Sequence, residues 1–161
     1  MRDGRQPDPT LSFLGATRTV TGSKFLIQAA ATVLVDCGLF QGPRELREMN
    51  WSPLPGVDEI DAVVITHAHL DHCGYLPRLM KAGFEGPVFV TEDTAALMGV
   101  VLPDSGRLLE EETEYANSVG YSRHRPALPL YTEAEAIEAL GLLRVVEFGT
   151  FFEPAAGFRS R

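Results

Sequence analysis

Thr66-His67-Ala68-His69-Leu70-Asp71-His72 places three of the chain's four histidines and a carboxylate directly after the apolar run Ala62-Val63-Val64-Ile65. That run reads as a buried strand. Where the chain stays extended past the strand, side chains alternate, so His67, His69 and Asp71 project to one side. Gly74 and Pro77 then flank the start of a helix over Tyr75 to Ala82, and His72 at the turn points back toward the same pocket. Imidazole nitrogen and carboxylate oxygen are the donors that a borderline metal such as zinc takes. A lone loop histidine is ordinarily structural. Four such groups at one strand's carboxyl end point instead to a metal site built from His67, His69, Asp71 and His72.

On either side of this stretch, strands alternate with helices, the pattern of an α/β or mixed layered fold. Strands are expected at Leu11–Leu14, Lys24–Ile27, Thr32–Val35, Asp61–Thr66, Pro87–Thr91 and Leu142–Glu147. The small-residue loop Gly15–Ser23 lacks the Gly-Lys-Ser/Thr ending of a phosphate loop and reads as a hairpin-like connection. Asp36 sits where the third strand emerges, and could be a ligand, a hydrogen-bonding anchor for one, or a turn residue. One helical turn is expected over Glu45–Met49. Beyond the metal cluster, a helix over Asp93–Leu102 capped by Thr91 is followed by a separate stretch from Ser105 to about Asn117. Its Glu110–Glu114 run reads as a solvated face. Thr132 with Glu135 forms a capping box for a helix through Leu140, stopped at Gly141.

The chain of 161 residues is sized for one domain, and its net charge of −8 argues against a basic nucleic-acid-binding face on this segment. Bound cations or a partner domain could still supply a positive field. Cys37 and Cys73 form no CxxC pair, so a reducing cytoplasm is the simpler setting. No apolar run approaches the roughly 18 residues of a membrane span. Residues 1–10 read as a short disordered lead-in, polar and without a signal core. The small basic loop Tyr121–Pro126, which holds His124, is too commonplace to mark a phosphate site.

His67-Ala68-His69-Leu70-Asp71-His72 resembles the HxHxDH motif of the metallo-β-lactamase fold. Gly15-Ala16 with Val20–Ser23, Asp36–Gly42, Thr66–Leu79 and Pro129–Thr132 are similar, more narrowly, to the β-CASP RNases. That resemblance implies a four-layer αββα fold, of the α+β kind, around a site for two zinc ions. Residue by residue, His67 and His69 match ligands of the first zinc, and Asp71 and His72 match ligands of the second. Asp36 matches an aspartate that supports the site by hydrogen bonding. The implied chemistry is metal-assisted hydrolysis of an RNA phosphodiester, with Asp71 also orienting the attacking water and the Thr19–Ser23 loop lining the pocket.

The family also has a third histidine in a Gly-His segment, a later bridging aspartate and a separate RNA-clamping domain, none of which matches here. The ending Phe152–Gly157 resembles the lead-in to that histidine motif. The expectation is therefore that residues 11–161 are the N-terminal portion of such a domain, inactive in isolation and with weak or partial zinc occupancy. Strands such as Val33–Val35 and Leu143–Val146 would then expose apolar faces. A hydrolase of another metallo-β-lactamase branch, acting on a thioester or other small molecule, is the alternative, followed by a non-catalytic metal-binding or interaction module. RNA or DNA as substrate, endonuclease or exonuclease mode, and oligomeric state, a homo-oligomer included, stay open.

Overall fold

The computed structural model describes residues 8–122 and 124–161. The expected lead-in lies mostly outside these residues, as does Arg123 of the basic loop, and Thr10 already belongs to the first strand. Strands β1 (Thr10–Phe13), β2 (Phe25–Gln28), β3 (Thr32–Val35), β4 (Ala62–Val64), β5 (Val88–Val90) and β6 (Leu143–Val145) form one six-stranded sheet in sequence order. The first three run antiparallel, so Gly15–Ser23 is the hairpin link expected of it. From β3 to β6 the pairing is parallel. Parallel neighbours need crossover connections, and these carry α1 (Arg44–Glu48), α2 (Leu70–Cys73), α3 (Leu76–Lys81), α4 (Glu92–Val119) and α5 (Glu133–Ala139).

Strand parity sorts the two faces. Leu26, Leu34, Val63 and Val88 lie in register across β2 to β5. They join one core cluster with Leu76, Leu79, Met98, Leu102, Tyr131 and Ala136 of the helical layer. The opposite parity lines up Phe13, Phe25, Val35, Val64 and Phe89 on the other face. There Phe152 stacks on Phe89 with ring centroids 5.3 Å apart. One sheet and its helical layer are two of the layers the family resemblance implies. Val33, expected to be exposed, is buried, while Leu11, Phe13 and Val145 at the sheet edges are exposed.

Two helical segments depart from the sequence reading. The helix expected over Tyr75 to Ala82 forms as α3, but a separate short helix, α2, precedes it, so Asp71 and His72 sit on a helical turn instead of an extended run. α4 runs unbroken for 28 residues through Pro103, where two helices were expected. Proline at this position leaves the carbonyl four residues back without its amide. That carbonyl belongs to Gly99, which is exposed and can turn to water. Burial of Met98, Leu102, Ser105 and Gly106 on both sides of Pro103 holds the helix together across the gap. Thr91 is the N-cap residue, yet its hydroxyl donates to Thr94 Oγ1 and caps no amide. The capping box of Thr132 and Glu135 forms in full.

Candidate metal centre

The carboxyl ends of β3 and β4 lie side by side, with Val35 opposite Val64, and Asp36 N donates to Val64 O at 2.9 Å. Asp36 takes a left-handed backbone conformation, φ 60°, which turns the chain sharply at the strand end. Aspartate tolerates that region better than most residues. The loop that follows is stitched to α2 by Cys37 N to His72 O (2.7 Å) and Leu39 N to Leu70 O (2.9 Å). The short helix bearing Asp71 and His72 is therefore held by β3's exit as well as by its own turn.

Asp36 is buried and its carboxylate is fully used. Oδ1 accepts from Thr66 N at 2.8 Å and from Thr66 Oγ1 at 2.9 Å, and Oδ2 lies 2.8 Å from His72 Nδ1. That contact assigns the His72 proton to Nδ1 and leaves the Nε2 lone pair free. With its own proton given to Asp36, Thr66 Oγ1 accepts from His67 Nδ1 across 3.0 Å. His67 Nε2 is thereby left unprotonated, its lone pair facing His69 Nδ1. Its pKa is held below the usual imidazole value by burial first and by the neighbouring His72 and His69 second. The neutral form that can ligate is thus the favoured one.

His67, His69, Asp71 and His72 converge as two pairs. His67 Nε2 lies 3.1 Å from His69 Nδ1, and His72 Nε2 lies 3.6 Å from Asp71 Oδ2. The His67 and His72 rings, 4.0 Å apart, join the pairs. Among the described residues, no group of three or more His, Cys, Asp or Glu is arranged around one metal position. Two donors each about 2.0–2.1 Å from a tetrahedral zinc lie roughly 3.3 Å from one another. Each pair thus spans about one edge of such a tetrahedron, and the donor chemistry suits zinc. The residues present fit two half-sites.

His124 stands apart on an exposed loop, its amide bonded to Ser122 Oγ. Ser23, at the end of the expected pocket loop, donates its amide to Asp71 O at 2.9 Å, so it supports the cluster through backbone. Two residues escaped the sequence reading. Thr66 looked like the end of a strand and carries no signal of its own. Lys24 did carry one: it shares strand parity with the core residue Leu26, which sends its side chain inward.

A profile of the Metallo-beta-lactamase superfamily matches residues 21–148. The chain is 41% identical over 145 residues to Ribonuclease TTHA0252 of Thermus thermophilus, covering 88% of this chain and 29% of that protein. It is 38% identical over 104 residues to Transcription termination factor FttA of Methanocaldococcus jannaschii, covering 63% and 16%. To Cleavage and polyadenylation specificity factor 73 of Drosophila melanogaster it is 31% identical over 153 residues, covering 91% and 20%. The chain spans less than a third of the length of each of these curated relatives.

Proposed function

The chain belongs to the metallo-beta-lactamase superfamily, and from that premise we propose that it is the N-terminal portion of a zinc-dependent RNA phosphodiester hydrolase of the β-CASP type. The observation that carries this reading is the pairing of donors behind Asp36, in a chain 41% identical to a ribonuclease over 145 residues. His67 Nε2 and His69 Nδ1 would hold one zinc, and His72 Nε2 and Asp71 the other. Zinc bound there supplies Lewis acidity toward a phosphoryl oxygen and toward the attacking water. The chain's own residues do the rest. Asp36 and Thr66 fix the proton positions on His72 and His67, so that the metal-facing nitrogens are unprotonated. The remaining Asp71 carboxylate oxygen accepts a proton from the attacking water and orients it.

RNA is the substrate in this proposal, and the net charge of −8 assigns the clamping of the polyanion to elements other than this segment. No helix among the described residues is long and apolar enough to cross a membrane. Both cysteines are free and buried, which supports placing the protein in a reducing, cytoplasmic compartment. In the natural protein that carries this chain, D71A should abolish metal-dependent cleavage of single-stranded RNA while the fold persists by circular dichroism. Cleavage at a near-normal rate by zinc-loaded D71A protein would overturn the assignment.

A further inference from the structure

Lys24 is 2% exposed, a state lysine adopts only with its charge matched. Among the described residues no carboxylate pairs with it. Its ammonium donates to Gly38 O and lies 4.5 Å from the ring centroids of both Phe40 and Tyr75. Two aromatic faces and one carbonyl thus meet the three N–H donors. Burial pulls the ammonium's pKa from the usual lysine range to about 8, which leaves it mainly charged at neutral pH.

Those three contacts tie together the segments that build the metal cluster. Gly38 and Phe40 lie in the loop after Asp36, and Tyr75 follows α2. Gly38 N donates to Ser23 O at 3.0 Å, Tyr75 N to Cys37 O at 2.9 Å, and Gly38 abuts Asp71 O so closely that a Cβ would fall 1.7 Å from it. Asn50 grips Phe40 from the far side, accepting its amide at 2.9 Å and donating to its carbonyl at 2.8 Å. An apolar side chain of the same length could fill the space beneath the two rings without desolvating a charge. It would leave Gly38 O without a partner.

We propose that Lys24 is a positioning residue whose ammonium clamps the 36–40 loop against α2, keeping Asp36 on His72 Nδ1 and so aiming His72 Nε2 and Asp71 at the metal position. The proposal rests on reading the cluster as a hydrolytic metal centre. K24M keeps the length and removes the donor and the charge, while K24R keeps both. Site-resolved amide exchange and histidine ¹⁵N NMR on the metal-free chain compare them with the wild type. In K24M, the amides of Cys37, Leu39 and Tyr75 should exchange at least tenfold faster. Those of Val63 and Ile65 in the sheet should hold within about twofold, and the His72 spectrum should lose its Nδ1–H signature. K24R should restore the loop and the His72 spectrum. Wild-type loop exchange in K24M would overturn the proposal. So would a uniform loss of protection or failure to fold, which would make Lys24 a support of the whole fold, and so would failure of K24R to rescue. None of these readouts uses metal or RNA, so the clamp and the hydrolase reading fail in separate experiments.

Discussion

Asp36 concentrates the demands of the site in one residue: a left-handed backbone, a buried charge, and donors from Thr66 and His72 on both oxygens. Non-glycine residues at such angles are strained and persist where their surroundings over-determine them. Two residues on, Gly38 meets a harder constraint, because a Cβ there would overlap the backbone oxygen of Asp71, which has no rotamer by which to yield. G38A should therefore destabilise the chain by about 3 kcal/mol, at the upper end of ordinary overpacking. It should also drive α2 off the loop. G141A is the control, since a Cβ at Gly141 meets nothing within 4 Å, and it should stay within about 0.5 kcal/mol. Urea unfolding of both variants checks the contrast, and equal effects would show that the contact at Gly38 is relieved elsewhere.

Among the elements, α4 shows how packing overrides a local stop signal. Pro103 removes one amide from the middle of a 28-residue helix, and the sequence alone divides the helix there. The helix persists because it is the main partner of α5 and buries Met98 and Leu102 completely in the core cluster. Ser105 Oγ adds a 2.8 Å hydrogen bond to the buried Tyr131 hydroxyl just past the proline. P103A restores the missing amide without disturbing those contacts, so it should stabilise the chain by about 1 kcal/mol. For a domain of this size that is a rise of roughly 2–4 °C in Tm, readable by thermal circular dichroism. A fall in Tm would show that the proline ring's own packing outweighs the amide.

At the scale of the whole molecule, the proposed half-sites set what the chain is expected to do alone. A catalytic zinc ordinarily has three protein ligands, and on the proposed assignment the two side-chain pairs offer two for each ion. The isolated chain should therefore retain fewer than two zinc ions after dialysis, and should not turn over single-stranded RNA. Elemental analysis and a cleavage assay check both. Two retained zincs with metal-dependent turnover would mean that His124 or a second copy completes the site. The charge of −8 works in the same direction, since it repels a polyanion.

The sequence by itself determined the parts that depend on short-range chemistry. Short apolar runs placed the six strands of the described residues to within a few positions, and Thr132 with Glu135 specified the capping box. The spacing of His67, His69, Asp71 and His72 singled out the residues whose side chains pair at the carboxyl end of β4. Those features are legible because each is fixed by neighbours a few positions away. Tertiary structure decided which face of the sheet takes the helices, that α4 continues through Pro103, and that Asp36 rather than any nearer residue orients His72, 36 positions along the chain. It also decided that Lys24 is buried between two rings contributed by segments far apart in sequence. Desolvation and long-range hydrogen bonding set these outcomes, and their energies depend on which groups surround an atom in space rather than on which precede it in the chain.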